Sequence, residues 1–188
     1  MSRRVAVVAG IVAAVVAVLV VVGTVVEQPN EEALRKVGAP ASEVCQPVTG
    51  HPANGASQHV SPPVAYDRTP PNSGPHMGSW VSVNQRRYEP TDGRALEQVV
   101  HNLEHGWVVL WYDTALADVD LLDRALSEAE TRKLVAMPWV GKERLPAPYV
   151  LTAWGHEQRC TGVSGEGIAD FVKAYAGSAG DAPEPDAP

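Results

Sequence analysis

HNLEHGWVVLWY, residues 101–112, joins a helix end to a buried strand. Trp107-Val108-Val109-Leu110-Trp111-Tyr112 holds six apolar or aromatic residues and no charge. That length and continuity predict a central strand covered on both faces. Gly106, just before it, suits the left-handed position that closes a helix. The helix it closes is predicted over 94–105, with Asp92 as N-cap and Ala95, Leu96, Val99, Val100 and Leu103 as its apolar stripe.

Downstream, 116–133 reads as a helix, with Leu121, Leu122, Ala125, Leu126 and Ala129 at helical spacing. Residues 134–137 and 149–154 read as strands, and 167–176 as a last helix. Upstream, 80–88 alternates well enough for a strand, and 64–66 for a short one. The rest of 46–78 is loop, stiffened by Pro62-Pro63, Pro70-Pro71 and Pro75. Helices mixed with strands predict α+β: one compact domain over 45–176 with a mixed sheet and packed helices. Residues 177–188, GSAGDAPEPDAP, contain no large apolar side chain, which predicts a disordered acidic tail.

The N-terminus has a different character. Residues 5–26 contain no charge and consist of Val, Ala, Leu, Ile, Gly and one Thr. As a helix they would span roughly 33 Å, enough to cross a hydrocarbon core of about 30 Å. Arg3 and Arg4 precede this run, and Glu27, Glu31 and Glu32 follow it. The positive-inside rule then places 1–4 in the cytoplasm and the domain outside, on a plasma-membrane anchor whose partner is the lipid bilayer. The run is longer than a signal-peptide core and lacks a small-residue cleavage pattern at its end, which predicts an uncleaved signal anchor. A cleaved form would leave the domain in the same compartment. Residues 27–44 read as a polar, membrane-proximal stalk with a short helix near 31–37.

Two observations bear on that compartment. Cys45 and Cys160 are the only cysteines, and an oxidising exterior favours their pairing as a disulfide. The charge is the other. Without Arg3 and Arg4 the chain keeps 13 basic residues against 22 acidic ones, a net −9. So acidic a body argues against a nucleic-acid partner, because phosphate binding needs clustered Lys and Arg.

The candidate chemistry begins in the same segment. His101 and His105 are four residues apart, so on a helix both imidazoles share a face and could reach one metal ion. They fall opposite the apolar stripe, which predicts an exposed pair. In 70–78, PPNSGPHMG, three prolines and two glycines fix a shaped loop that presents His76 and Met77. His59 sits in a similar proline-flanked segment. These residues form the expected metal set: His101, His105, His76, His59 and, as a soft sulfur ligand, Met77. Imidazole suits copper or zinc, and a thioether would favour Cu(I). His51 and His156 are weaker candidates.

PPNSGPH (70–76), HNLEHGWVVLWY (101–112) and AWGHEQRC (153–160), in that order, resemble the bacterial family catalogued as domain of unknown function 3105. The resemblance spans about 59–176 and the N-terminal anchor, with Asn72 where the family carries Thr. It implies a membrane-anchored extracytoplasmic domain, supplies no substrate, and draws attention to His76, His101, Glu104 and His105.

Three functions compete. The first is a metal-binding module, for copper or zinc, at the histidine cluster. The second is a structural or partner-binding cell-envelope domain, in which Trp80, Trp107, Trp111, Trp139 and Trp154 form the core and no metal binds. The third is a zinc hydrolase, because HNLEH matches H-x-x-E-H, with Glu104 as base and Glu166 as the acidic third ligand. A serine hydrolase built on Ser73 lacks the G-x-S-x-G elbow. The metal-binding module is the reading adopted, with enzymatic activity left open.

Overall fold

A computed structural model describes residues 29–129 and 133–187. The expected anchor, 5–26, lies outside them; among the described residues no helix is long and apolar enough to cross a membrane. In chain order the elements are α1 (Pro29–Arg35), α2 (Ala41–Val44), β1 (Thr49–Gly50), α3 (Leu96–Glu104), β2 (Val108–Tyr112), α4 (Val119–Glu128), β3 (Leu134–Pro138), β4 (Tyr149–Ala153), β5 (His156–Cys160) and α5 (Gly165–Tyr175). Single 3-10 turns occupy Pro90–Asp92 and Gly177–Ala179. The fold is α+β, as expected.

The apolar run becomes β2, buried at every position. It pairs parallel with β3 and antiparallel with β4, in a mixed five-stranded sheet of order β1-β5-β4-β2-β3. A parallel neighbour requires a crossover, and α4 supplies it. Its N-cap is Asp118, whose Oδ1 accepts from Leu121 N at 3.0 Å. Side chains alternate across β2. Val108, Leu110 and Tyr112 pack with Leu34, Leu122, Leu126 and Phe171, while Val109 and Trp111 pack with Val81, Val99, Val100 and Leu103. The sheet therefore lies between a layer of α1, α4 and α5 and a layer of α3 with its preceding segment.

The end of α3 follows the sequence closely. Gly106 is left-handed at φ 74°, Gly106 N donates to Leu103 O and Trp107 N donates to Asn102 O. These two bonds close the helix and turn the chain directly into β2. The start differs. Asp92 ends the short Pro90–Asp92 turn, its Oδ2 accepting from the N-cap residue Glu89 through Glu89 N, and α3 begins only at Leu96.

Three further expectations are corrected. Residues 80–88 form no strand, because a bend at 83–84 breaks the alternation and leaves one bridge, Arg87 to Ala136. Residues 64–66 are loop. His156–Cys160, where the polar sequence predicts no strand, is β5: a turn at Trp154-Gly155, with Gly155 at φ 78°, folds it back on β4.

Packing also begins upstream of Cys45. Leu34 and Val37, in the segment read as stalk, are buried in the core. At Gly165 a Cβ would lie 1.7 Å from Leu34 O, so α1 and α5 meet backbone to backbone. Cys45 and Cys160 are disulfide-bonded, tying the end of α2 to the end of β5. Residues 177–187, for which composition predicts disorder, follow the domain surface. Gly177 N donates to Gly106 O, Glu184 N donates to Glu104 O, and Lys133 Nζ donates to the carbonyls of His105, Pro185 and Ala187.

Candidate metal centre

His101 and Glu104 stand one turn apart on α3, hence on one face of the helix. Across from them the 54–80 segment folds over the helix. Val60 N donates to His76 O at 2.8 Å and His76 N to Gln58 O at 3.0 Å, which sets His59 beside His76. The segment doubles back so tightly at Gly55, φ 77°, that a Cβ there would sit 2.2 Å from the Gly74 carbonyl carbon. Glu97 of α3 pins it twice: its Oε1 accepts from Val64 N at 2.9 Å, and its carbonyl from Met77 N at 3.3 Å.

Four side chains converge in this arrangement. One ligating atom from each of His59, His76, His101 and Glu104 lies within 4.8 Å of all the others. Donors on opposite sides of an ion at about 2.0–2.1 Å would be separated by roughly 4 Å, so the cluster is close to a binding dimension. His59, with its side chain 49% exposed, is the member freest to close the difference. Its ring stacks on His101, centroids 4.9 Å apart, and meets His76 edge-on at 5.2 Å.

The hydrogen bonds fix the tautomers. His76 Nδ1–H donates to the Gly74 carbonyl at 2.8 Å, and His101 Nδ1–H donates to the Met77 carbonyl at 2.6 Å. A carbonyl can only accept, so in each neutral ring Nε2 is left as a lone pair. His76 Nε2 points at Glu104 Oε2, 2.9 Å away, while Glu104 Oε1 accepts from Ser57 N. His101 Nε2 faces His105 Nε2 at 2.9 Å, and His105 must be the donor in that contact. Burial is the main cause holding the His101 imidazole below its ordinary pKa. The Met77 bond opposes that shift, and neighbouring His105, His76 and His59 add to it.

His101 and His105, expected to be exposed, are each 3% exposed. The helical wheel is right about the apolar stripe, but a second layer covers the polar face. Part of that cover is Trp80, expected in the core but 41% exposed, with its ring centroid 5.2 Å from His101 and 4.9 Å from His105. Asn102 holds it in place. Its Oδ1 accepts from Val81 N and its Nδ2 donates to Val81 O.

Of the expected ligands, His76, His101 and His59 come together. His105 lies at the edge of the group, with Glu184 Oε2 3.7 Å from its Nε2. Met77 serves through its carbonyl. His51 contacts Thr49 Oγ1, and His156 pairs with Asp181 at 2.8 Å and stacks on Tyr175. Glu166, the expected third zinc ligand, instead accepts from Ala41 N at 2.8 Å. The hydrolase pattern therefore loses its acidic ligand, and Glu104 stands among the donors with both oxygens engaged. Sequence reasoning missed Ser57, Asn102 and the shielding role of Trp80. Asn102 was within reach, as a polar residue on the apolar flank of α3.

Fold and cluster together define a small α+β domain built around a buried histidine–carboxylate group. The family model described as protein of unknown function (DUF3105) matches residues 59–188, and the chain belongs to that family. The matched span opens at His59 and contains all four clustered residues. No curated protein and no solved structure matches the chain.

Proposed function

We propose that the domain binds a divalent metal, zinc or copper(II), through His76, His101 and Glu104 with His59 closing the site. An anchor at 5–26 in the lipid bilayer would display it outside the cytoplasm. One observation carries the reading: both buried imidazoles spend Nδ1–H on backbone carbonyls, and His76 turns its Nε2 lone pair toward the Glu104 carboxylate. Outer carbonyls that fix the tautomer are the usual support of metal-bound histidine. Lone pair against carboxylate is repulsive unless a proton or a metal ion is shared between them, and a metal ion would draw in His101 and His59 as well. Imidazoles with a carboxylate favour a borderline divalent ion over Cu(I), so the soft-sulfur route through Met77 is not needed. Bound there, the ion would supply Lewis acidity. Ser57 N and the two carbonyls hold its ligands in place, and Trp80 excludes water from the His101 side. The disulfide fits an oxidising exterior.

A second reading, a structural or partner-binding domain without metal, draws support from Glu104 having a partner on each oxygen. Calorimetric titration of the full chain in detergent micelles with Zn2+ and with Cu2+ separates the two. Saturable binding of one ion per chain, weakened in His76→Ala and His101→Ala variants that remain folded, supports the metal site. Heats identical in the wild type and both variants would leave the structural reading.

A further inference from the structure

The Pro-rich loop that delivers His76 also lines a second cavity. A cleft of about 320 Å3 is walled by Pro52, Asn54, Tyr66, Arg68, Asn72 and Ser73, among others. Its polar lining holds donors without a partner among the described residues. Asn72 is 2% exposed, yet its Nδ2 has no hydrogen-bond partner among the described residues. The backbone there is fixed, because the Asn72 carbonyl accepts from Gly155 N at 2.9 Å. A buried amide donor left unpaired is destabilising, and native structures keep few of them. Half-buried Arg68 lines the same cleft and forms no ion pair among the described residues. Ser73 Oγ accepts from Asn54 N, so its own O–H remains free to donate. The Tyr66 hydroxyl is already spent on the Pro75 carbonyl at 2.9 Å. Asp67 is the one carboxylate on the lining, and it is exposed.

We infer that this cleft binds a small oxyanion, a carboxylate or phosphate group on a compact solute. A guanidinium, a primary amide and a hydroxyl form a donor set suited to such a group, and Arg in particular matches its planar or forked oxygens. The volume lies at the low end for ligand cavities, roughly 300–1,000 Å3, which limits the solute to a few heavy atoms beyond the anion. The cleft and the metal centre share Gly74, whose carbonyl orients His76 and whose residue lines the cleft. The inference does not depend on metal, because none of its donors belongs to the histidine cluster.

The test is calorimetric titration of the full chain in detergent micelles with inorganic phosphate and, separately, with succinate, after chelator treatment. Saturable binding of at least one of them is expected, at least tenfold weaker in Arg68→Gln and in Asn72→Ala. Binding should be tighter in Asp67→Asn, which removes the neighbouring negative charge. Preference for phosphate or for succinate identifies the group that the cleft is built for. Thermal melting confirms that the variants are folded, and Arg68→Gln alters only a half-buried side chain. Absence of saturation with both probes overturns the inference, as does equal affinity in Arg68→Gln and the wild type. His101→Ala should bind the anion as the wild type does, so loss of the metal site and loss of this one are told apart.

Discussion

His76 Nε2 and Glu104 Oε2 lie 2.9 Å apart with both side chains wholly buried. With Glu104 ionised, two physical states satisfy that contact. Either His76 carries a second proton and the pair is a buried ion pair, or the two lone pairs face each other as ligand atoms that a bound metal ion would share. A buried ion pair broken on one side costs about 3–5 kcal/mol, because the other charge is stranded. A metal site emptied of metal has the opposite problem, an excess of acceptors.

Glu104→Gln separates these states. A carboxamide can donate to the His76 Nε2 lone pair and still accept from Ser57 N through its oxygen. In the metal account the metal-free variant is therefore as stable as the metal-free wild type or slightly more so. Its metal affinity falls by more than the roughly 10–100-fold that loss of an outer partner alone brings. Urea unfolding with chelator present, beside a zinc titration, checks both halves. A loss of about 3 kcal/mol or more without metal would speak for the ion pair.

Acid should destabilise the metal-free chain through His101. Burial holds its folded pKa below the ordinary 6.5, so the unfolded chain binds more protons in that window and stability rises with pH. The contribution is complete above the unfolded value and is lost as pH falls through it toward the folded one. Urea midpoints measured from about pH 7.5 down to about pH 5 should fall, and His101→Gln should flatten the slope. An unchanged slope in that variant would assign the effect elsewhere.

The placement of the N-terminal segment has its own test. Gly165→Ala puts a methyl group where the Leu34 carbonyl already sits, at 1.7 Å. Overpacking of this kind costs about 1–3 kcal/mol, and a backbone obstacle cannot rotate away. Thermal melting should show the loss. Full stability in the variant would mean that α1 does not lie against α5.

The disulfide closes a loop across a sequence separation of 115 residues. Replacing both cysteines by alanine should destabilise the fold by up to about 4–5 kcal/mol in the chain-entropy treatment, with smaller values common. The bridge joins α2 to β5 and touches none of the four clustered side chains, so metal affinity of the folded fraction should be unchanged. Denaturation and titration of the same sample measure the two effects independently.

What could be read from the sequence was local. The apolar run of β2 and the Gly106 turn that ends α3 depend on neighbours within a few residues, and both stand where the pattern puts them. β5 was hidden because His156-Glu157-Gln158-Arg159 is polar, and its place comes from pairing with β4. Leu34 and Val37 stand three apart in a short polar segment, too little to predict burial, and the meeting of α1 with α5 buries them. The site divides in the same way. His76 and His101 could be found from their motifs. Their burial, and the placing of Glu104 against His76, depend on the 54–80 segment folding over α3, which no helical wheel contains.

Metal content tests the central claim most directly. The full chain, purified without a histidine tag and incubated with zinc and copper(II), is freed of loose metal and analysed by elemental mass spectrometry, beside His76→Ala and His101→Ala variants. One ion per chain in the wild type and a clear deficit in both variants is the predicted result. No retained metal in the wild type would contradict the account and leave the cluster as a buried, purely structural hydrogen-bond network.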